Sequence, residues 1–470
     1  MLTTSVETLI SVTRGTLVWG STDTMVNGVS TDSRTVEPGA LFVAFAGTRA
    51  DGHDYLEQAI ASGARALLIT RGSEEMSGVV ESASRREVAI IRVPDALAAL
   101  QALARHHRER LFCPVIGVTG STGKTTTKEF LTSVLATRMK VVSTRGNRNN
   151  ELGVPLTVMD AGADTDVLVV EMAMRGRGQI IELCHIARPT MGLVTNVGMS
   201  HIELLGTQES IASAKAELVE AIPEEGVVFL NGDDAFSGTL ALSSRAPVIQ
   251  YGLADTCDVR AMDITMDGES LASFEIVTED IIIPVSLAVP GRHNVYNALA
   301  AAAVGVHFGL DPEDVTDGLA RASAGEMRMQ TFTSAGGIHV INDAYNASPT
   351  SMRAAIETLA GITTAERRVA VLGDMAELGS LAELAHFRIG EELARHAIDV
   401  LITVGERAAR IADGARAEGM DSDRVRPCVT ADEASEVLDD LLEPGDVVLV
   451  KASRVMGLER VVEGIVEPRV

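Results

Sequence analysis

The sequence is short of aromatic residues and of positive charge. Only 3% of its 470 residues are aromatic, and 65 acidic residues outnumber 40 basic ones, which gives a net charge of −25. Few aromatic side chains leave little for bases to stack on, and an acidic chain is repelled by nucleic-acid phosphates and anionic lipids. We therefore expect no nucleic-acid or membrane partner and predict a soluble cytoplasmic enzyme.

The sequence also lacks clustered cysteines and long apolar runs. Its four cysteines, Cys113, Cys184, Cys257 and Cys428, are widely separated, so neither a zinc site nor a disulfide framework is indicated. We expect buried free thiols in a reducing compartment. No stretch of about 18 apolar residues occurs, and the first 20 residues have no apolar core typical of a signal peptide. The sequence therefore predicts no membrane insertion.

The chain is instead rich in apolar strands that alternate with helices, which is typical of a parallel sheet with helices on both faces. Its length suggests about three domains. We predict an α/β protein with domains at residues 1–110, 111–325 and 326–470. The predicted strands are 41–46, 66–69, 115–118, 167–170, 191–194, 227–230, 339–342, 369–372, 400–404 and 447–450, with a β-like stretch at 264–289. The predicted helices are 55–64, 96–108, 128–137, 179–184, 209–221, 295–306, 351–359 and 381–396.

A glycine-rich turn at residues 119–125, Thr-Gly-Ser-Thr-Gly-Lys-Thr, lies between a predicted strand and a predicted helix. Loop N–H groups and a helix N-terminus together suit an anion. Lys124 would reach the outer phosphates of a nucleotide, and the Thr125 hydroxyl would bind a magnesium ion. Val118 stands where the strict phosphate-loop pattern has glycine, so this is a variant loop. A turn without nucleotide is the alternative, which Gly-Lys-Thr disfavours.

Polar residues follow the predicted central strands. Glu171 ends an apolar strand, where a carboxylate is costly unless something positive meets it, so we predict a metal ion there. His201, in the loop after the next strand, is either a metal ligand or structural. Lys215 lies on an ordinary helix, and taken alone it indicates a surface lysine. The amide-rich segment 147–150 either orients a substrate or caps a turn.

These residues together predict a magnesium-dependent ATP enzyme. No Asn-Lys-x-Asp guanine motif appears after a strand, which argues against a GTPase, whereas phosphoryl transfer and ATP-driven ligation both stay open. No Ser-His-Asp or Cys-His set is present, so we expect no covalent enzyme intermediate.

A series of motifs covers nearly the whole chain. In order, they are Asp32-Ser-Arg34, Glu37-Pro-Gly39, Asp51-Gly-His53, Gly123-Lys-Thr-Thr-Thr-Lys-Glu129, 146–155, Glu171, Thr195-Asn196, His201, Ala214-Lys-Ala-Glu217, Asn342-Asp-Ala-Tyr-Asn346-Ala-Ser-Pro349, 371–379 and Lys451-Ala-Ser-Arg454.

As a set and in this order, these motifs resemble those of the Mur ligases of peptidoglycan synthesis. The C-terminal motifs resemble those of the branch that adds D-alanyl-D-alanine. The branch that adds diaminopimelate or lysine would carry an Asp-Tyr-Ala-His-type segment, and its diaminopimelate version would also carry Asp-Asn-Pro-Arg, and neither is present. Ser348 stands where asparagine is expected, and Arg148 replaces a common aromatic residue.

The resemblance implies a central phosphate-loop (P-loop) domain, flanked by an N-terminal uridine-nucleotide-binding α/β domain and a C-terminal Rossmann-like domain that swings onto the centre. It implies that ATP, with Mg²⁺, phosphorylates the terminal carboxylate of UDP-N-acetylmuramoyl-tripeptide, and that D-alanyl-D-alanine then displaces phosphate. A cytoplasmic monomer is expected. An amino-acid-adding or folylpolyglutamate-type ligase and an ATP-hydrolysing binding protein are the alternatives. Whether the tripeptide ends in diaminopimelate or lysine stays open.

The resemblance also implies roles for individual residues. In the family, the lysine that matches Lys215 is commonly carbamylated, which would make it a metal-linked carboxylate. The implied catalytic residues are Lys124, Glu171, His201 and Lys215, and the implied metal ligands are Thr125, Glu171, His201 and Lys215. The implied ATP contacts are Gly120, Ser121, Thr122, Gly123, Lys124, Thr125, Thr126, Asn294, Asn297, Arg328 and Asp343. The implied substrate contacts are Ser33, Arg34, Asn147 and Thr195 for the uridine nucleotide, and Asn346 and Arg454 for the dipeptide.

Overall fold

The computed structural model describes residues 1–47, 50–72 and 77–467. These residues form two compact units. The first comprises Met1–Gly117, Met139–Met174 and Gly178–Met191, and the second comprises Val118–Arg138, Arg175–Arg177 and the described residues from Gly192 onward. The last three residues of the predicted C-terminal domain lie outside the described part of the chain.

The N-terminal part of the first unit is a five-stranded sheet in the order β2-β7-β6-β5-β4, in which β4 to β7 run parallel and β2 is antiparallel to β7. A separate antiparallel pair joins β1 and β3. Buried Phe42, Leu67 and Ile90 place the core on the central strands. The strands are β1 (Thr3–Ser5), β2 (Thr16–Trp19), β3 (Met25–Asn27), β4 (Val29–Ser30), β5 (Leu41–Val43), β6 (Ala66–Ile69) and β7 (Ala89–Arg92), and the helices are α1 (Val6–Thr13), α2 (Leu56–Ala61), α3 (Ser77–Arg85) and α4 (Ala96–Arg108).

After α4, the chain leaves the first unit, enters the second unit and then returns to the first. Strand β8 (Val115–Thr119) begins in the first unit and ends in the second, which also holds α5 (Lys124–Leu135). The chain returns to the first unit with a parallel pair of strands and two helices. These elements are β9 (Val141–Ser143), α6 (Gly153–Asp160), β10 (Val167–Glu171) and α7 (Gln179–Ala187).

The second unit continues with a sheet in which β11 to β16 lie side by side in chain order. Strands β12, β13 and β14 are parallel, and β14, β15 and β16 form antiparallel pairs. The alanine-rich helix α11 packs against α5, because its small side chains allow a close approach. The strands are β11 (Met191–Val194), β12 (Val227–Asn231), β13 (Val248–Gly252), β14 (Val259–Met266), β15 (Ala272–Val277) and β16 (Ile282–Ser286), and the helices are α8 (Ile202–Leu205), α9 (Gln208–Ala221), α10 (Ser237–Leu242), α11 (Asn294–His307) and α12 (Pro312–Arg321).

The C-terminal part of the second unit is a six-stranded sheet in the order β17-β18-β22-β19-β20-β21. All its pairs are parallel except β17 with β18. Buried valines of β18, β19 and β22 form the centre of the core. The strands are β17 (Gln330–Thr333), β18 (His339–Asn342), β19 (Arg368–Gly373), β20 (Val400–Val404), β21 (Val425–Cys428) and β22 (Val447–Lys451), and the helices are α13 (Pro349–Gly361), α14 (Ala382–Ala394), α15 (Ala409–Ala417), α16 (Ala431–Leu441) and α17 (Glu459–Val466).

The predicted α/β class is confirmed, and the ends of some elements differ from the prediction. Helix α5 begins at Lys124 instead of 128, because Gly123 turns the loop directly into the helix. Helix α2 ends at Ala61, shortly before the left-handed Gly63, and a 3-10 turn precedes it. The predicted domain boundaries stay predictions. None of the helices in the described ranges has the length and apolar character needed to cross a membrane.

Candidate active site

The glycine-rich loop lies between the end of β8 at Thr119 and the start of α5 at Lys124. Its two glycines have left-handed backbone, with φ of 152° at Gly120 and 79° at Gly123. A Cβ on Gly120 would lie 1.8 Å from the hydroxyl oxygen of Thr195, so a larger residue would displace that side chain. Close packing therefore requires glycine here and fixes the path of the loop.

The residues that follow β11 hold this loop in place. The N–H of Ser121 donates to the carbonyl of Asn196 at 3.0 Å, and the N–H of Thr122 donates to Asn196 Oδ1 at 2.9 Å. The Thr195 hydroxyl donates to the carbonyl of Thr122 at 2.6 Å. Thr195 thus supports the phosphate loop in this structure, and its predicted contact with the uridine nucleotide stays a prediction.

Lys124 folds back over the loop that precedes it. Its Nζ donates to the carbonyl oxygens of Gly120 at 2.8 Å and Ser121 at 3.4 Å. These acceptors are neutral, and hydrogen bonds to charged phosphate oxygens are about twice as strong. A bound triphosphate would therefore draw the ammonium group from the carbonyls. The next residues, Thr125 and Thr126, are buried in the first turn of α5.

Asn294 and Asn297 connect the start of α11 to the phosphate loop. Asn297 Oδ1 accepts from the Thr127 hydroxyl at 3.0 Å, and its Nδ2 donates to Asn294 Oδ1 at 2.8 Å. Asn294 Nδ2 in turn donates to the carbonyl of Pro290 at 2.8 Å. A Cβ on Gly123 would lie 2.6 Å from Asn297 Oδ1, so the amide also abuts the loop. The structure therefore brings both predicted nucleotide contacts to α5.

Lys215 is buried, with 1% of its surface exposed, so its interpretation as a surface lysine is wrong. Its helix, α9, turns a mainly small and aliphatic face inward at this point, with Ala214 and Ala216 on either side. Burial lowers the pKa of Lys215 well below its usual value, and the nearby charge of Lys124 lowers it further, while that of Asp234 opposes the shift. A lower pKa favours the uncharged, nucleophilic form of the amine.

The sequence analysis missed Asp234. Its Oδ2 accepts from the N–H of Val197 at 2.8 Å, and its Oδ1 accepts from the N–H of Phe236 at 2.9 Å. It therefore ties the loop after β11 to the loop after β12 and places a negative charge near Lys215. Asp234 follows the end of a buried strand, the same signal that drew attention to Glu171.

His201 precedes α8 in a left-handed conformation, with φ of 65°. Its Nδ1 lies 2.5 Å from Oε2 of Glu377, a residue to which the sequence analysis gave no role. The close contact with His201 lowers the pKa of Glu377 below its usual value. The structure therefore pairs one predicted metal ligand with a carboxylate from the C-terminal part of the second unit.

Glu171 ends β10 in the first unit and has 1% of its surface exposed. Asn149 Nδ2 donates to its Oε1 at 2.8 Å, and its own N–H donates to the Thr144 hydroxyl at 2.9 Å. The amide-rich segment thus orients a candidate metal ligand through Asn149, a role that the sequence analysis did not consider. Asn147, the predicted substrate contact in that segment, is exposed.

The two N-terminal substrate candidates differ in exposure. Ser33 is buried, and its hydroxyl donates to Gln58 Oε1 at 3.1 Å. Arg34 is exposed and pairs with Asp32 at 2.6 Å, and this contact lowers the pKa of Asp32 to about 2. The guanidinium group is therefore accessible to an anionic ligand, at the expense of its pair with Asp32.

The C-terminal candidates lie near the segment between α12 and β17. The Arg328 guanidinium lies over the Tyr345 ring, 4.0 Å from its centroid. Asp343 Oδ1 accepts from the N–H of Met329 at 3.2 Å, and its Oδ2 lies 2.6 Å from Nζ of Lys451. The structure thus places Arg328 and Asp343 around one short segment.

Lys451 is a further residue that the sequence analysis gave no role. It is buried at the end of β22, and its Nζ also donates to the carbonyl of Asn346 at 2.9 Å. Arg454, by contrast, is exposed and pairs with Glu459 at 2.7 Å. Of the two dipeptide candidates, only Asn346 is therefore tied to the Asp343–Lys451 pair.

The candidate metal ligands of this chain can supply the oxygen atoms that a magnesium ion needs. Mg²⁺ prefers oxygen ligands and often takes some of them from phosphates and water. Within the described ranges, no three His, Cys, Asp or Glu side chains converge into a group able to hold a metal ion. The hydroxyl of Thr125 and a carbamate on Lys215 would add oxygen donors in the second unit. This chemistry fits magnesium bound together with a nucleotide.

Comparison with known protein families gives three matches that follow one another along the chain. The profile of the Mur ligase family catalytic domain matches residues 25–108. That of the Mur ligase middle domain matches residues 118–305, and that of the Mur ligase glutamate ligase domain matches residues 327–454.

Curated relatives match over nearly their whole length and carry one name, UDP-N-acetylmuramoyl-tripeptide–D-alanyl-D-alanine ligase. The Bacillus subtilis enzyme is 37% identical over 99% of both chains. The Mycobacterium tuberculosis H37Rv enzyme is 39% identical over 93% of this chain and 92% of its own. The Escherichia coli K12 enzyme is 33% identical over 87% and 88%.

Solved structures give the same match. MurF from Acinetobacter baumannii superposes with a TM-score of 0.85 at 30% identity and covers 99% of both chains. MurF ligase from Thermotoga maritima, in complex with ADP, superposes with a TM-score of 0.76 at 29% identity over 93% of this chain and 96% of its own.

Proposed function

The chain belongs to the Mur ligase family, and we propose that it is an ATP-dependent ligase that joins D-alanyl-D-alanine to UDP-N-acetylmuramoyl-tripeptide in the synthesis of peptidoglycan precursors. The observation that carries this function is the match to ligases named for that reaction over nearly the whole length of both chains. The ADP bound to the Thermotoga maritima relative supports ATP as the phosphate donor.

The chemistry needs an activated carboxylate, because a carboxylate ion is a poor electrophile towards an amine. The terminal carboxylate of the tripeptide attacks the γ-phosphorus of ATP, which forms an acyl phosphate and releases ADP. The amine of the dipeptide then attacks the acyl carbon, the tetrahedral adduct expels phosphate, and the amine loses a proton. An amide bond results.

The phosphate loop supplies the electrostatic part of this reaction. The N–H groups of residues 123–125, at the N-terminus of α5, would bind phosphate oxygens, and Lys124 would leave its carbonyl partners to neutralise charge on the transferred group. Asn294 and Asn297, linked to α5 through Thr127, would contact the adenosine part of ATP. Arg328 and Asp343 would join the nucleotide when the C-terminal domain closes over it.

Magnesium, when bound, would neutralise phosphate charge and orient the γ-phosphate. Thr125, Glu171, His201 and a carbamate on Lys215 would hold it. The carbamate is supported by the burial and low pKa of Lys215, because an uncharged amine adds CO₂ and loses a proton to become an anion. Asn149 would keep Glu171 oriented.

We assign one of the three reactants to each predicted domain. Residues 1–110 would bind the uridine nucleotide through Ser33 and Arg34, with Asn147 and Thr195 beside it. Residues 111–325 would bind ATP, and residues 326–470 would present the dipeptide with Asn346 and Arg454. The three family matches fall inside these bounds, which supports the division. We further propose that the protein works as a monomer in the cytoplasm, where ATP and its nucleotide-linked substrate are made.

A ligation assay tests the function. Purified protein is given ATP, Mg²⁺ and UDP-N-acetylmuramoyl-tripeptide, ending in either diaminopimelate or lysine, and then D-alanyl-D-alanine, single amino acids or no amine. We expect phosphate release and a pentapeptide product, identified by mass spectrometry, only with the dipeptide. Ligation of single amino acids would indicate another Mur-type ligase. Phosphate release that needs no amine would indicate an ATP-hydrolysing binding protein.

A further inference from the structure

The loop that carries Glu377 follows β19 and is fixed by its neighbours. The N–H of Met375 donates to Nε2 of the buried His386 at 2.8 Å, and the N–H of Ala376 donates to the Ser453 hydroxyl at 2.8 Å. The N–H of Ser453 donates back to the carbonyl of Asp374 at 3.0 Å. A carboxylate on the next residue is therefore presented from a well-braced main chain.

Glu377 and His201 both have a left-handed backbone. Their φ angles are 62° and 65°, a conformation that is costly for residues with a Cβ. The N–H of Glu203 also donates to the carbonyl of Glu377 at 3.4 Å, so the main chains approach as well as the side chains. Strained residues of this kind persist only where the surroundings hold them, and they cluster at functional sites.

The contact between the side chains determines which histidine nitrogen is free. Glu377 Oε2 lies 2.5 Å from Nδ1 of His201 but away from the direction of an aligned hydrogen bond, so its negative charge is what favours the proton on Nδ1. The lone pair then lies on Nε2, which is the nitrogen left to bind a metal ion. Histidines that bind metals commonly donate their other N–H to a carboxylate or carbonyl, which fixes the ring and raises its basicity.

We propose that Glu377 is the positioning residue for His201, and that it makes the metal affinity of the ATP site depend on the loop after β19. The inference rests on the proposed function, in which His201 holds magnesium. The loop after β19 would thus complete the metal site, because Glu377 on this loop orients the ring of His201.

The test measures metal binding without turnover. Mn²⁺ affinity is determined by electron paramagnetic resonance with ADP present, for the wild type, Glu377→Ala, Glu377→Gln and the control Glu383→Ala, which removes an exposed glutamate from the first turn of α14. We expect Glu377→Ala to raise the Mn²⁺ Kd about 10- to 100-fold. Glu377→Gln should recover part of the affinity, because its amide oxygen keeps a partial negative charge beside Nδ1, and the control should match the wild type.

A second measurement uses the wild type alone. Long-range ¹H–¹⁵N spectra report the tautomer of each histidine, and the His201 signals are assigned by their loss in His201→Gln. Protonation at Nδ1 supports the proposal, and protonation at Nε2 overturns it. Unchanged Mn²⁺ affinity in a folded Glu377→Ala variant also overturns it and leaves a plain ion pair. A wild type that ligates no substrate would instead refute the proposed function.

Discussion

Lys124 and Lys215 lie close enough in the second unit that the charge of Lys124 helps to lower the pKa of Lys215. Two ammonium groups in one buried site are unfavourable, and the lysine on α9 is the more deeply buried of the two. It is therefore the lysine for which the site favours loss of the proton. Its uncharged form can stay a buried amine or become a carbamate, and the proposed metal site requires the carbamate.

Lys215→Ala tests the carbamate. We expect ligation to fall by a factor of about 100 or more, since loss of a charge-stabilising group of this kind costs about 3 kcal/mol. A short carboxylate such as acetate or formate should occupy the space and restore part of the activity. The measurement is the rate of phosphate release with and without 0.1 M carboxylate, a concentration of about the order at which weak ligands bind.

The control is Lys140→Ala, which removes an exposed lysine whose partner is Asp164. It should keep its activity and show no response to carboxylates. Full activity in untreated Lys215→Ala would refute the carbamate role. So would a ¹³C spectrum of the folded wild type in ¹³C-bicarbonate at neutral pH that shows no carbamate signal.

Gly120→Ala tests the packing of the phosphate loop. The added methyl group would meet the Thr195 hydroxyl at 1.8 Å in a left-handed backbone, so either the loop or β11 must shift. We expect a loss of roughly 2–4 kcal/mol in the free energy of unfolding, together with loss of ATP binding. Urea denaturation and calorimetric titration with a non-hydrolysable ATP analogue give the two quantities.

Gly238→Ala is the matched control, because this glycine lies in helix α10 and a Cβ there would meet nothing within 4 Å. It should stabilise the protein by about 0.5–1 kcal/mol, since alanine favours a helix more than glycine does. If Gly120→Ala bound the analogue as tightly as this control, the loop would not be the nucleotide site.

The ends of the central strands could be predicted from the sequence because continuous apolar runs identify buried strands without knowledge of their neighbours. Glu171 and Lys124 were selected in this way, since Glu171 ends β10 and Lys124 begins α5 after the turn that follows β8. The burial of Lys215 could not be predicted from its residues, since it depends on what α9 packs against. Only the family resemblance indicated a role for it.

Glu377 and Asp234 were missed for a different reason, which is that their partners lie far away in the sequence. Glu377 meets His201, and Asp234 meets Val197, across long stretches of sequence. A single sequence shows neither pairing, because each depends on how loops after different strands come together. Short strands such as β4 were missed as well, since two residues carry no readable pattern.

Arg328→Ala separates nucleotide binding from substrate binding. The guanidinium now stacks on Tyr345 and would donate to phosphate in the closed state, an interaction worth about 1.5–3 kcal/mol. We expect the KM for ATP to rise about 10- to 100-fold, while the Kd for UDP-N-acetylmuramoyl-tripeptide stays unchanged. Arg321→Ala, which breaks a surface pair with Asp317, should alter neither value. Equal losses of both in Arg328→Ala would count against the assignment of the domains.

His293 makes the stability of the second unit depend on pH. It immediately precedes α11, and burial lowers its pKa to about 4, although the charge of Asp343 raises the pKa and that of Lys451 lowers it. Because the folded pKa lies below the unfolded value of about 6.5, the unfolded chain takes up the proton first. The stabilising effect of the neutral ring is therefore complete above pH 6.5 and is lost as the pH falls towards 4.

His293→Gln removes this titration, so its unfolding free energy should fall less steeply between pH 6.5 and pH 4 than that of the wild type. The difference in slope should reach at most about 1.4 kcal/mol per pH unit, which corresponds to one proton. Urea denaturation across this range gives both curves, and His339→Gln, at an exposed histidine, should follow the wild type. Parallel curves for the wild type and His293→Gln would show that the half-buried ring takes up its proton as easily in the folded protein as in the unfolded chain.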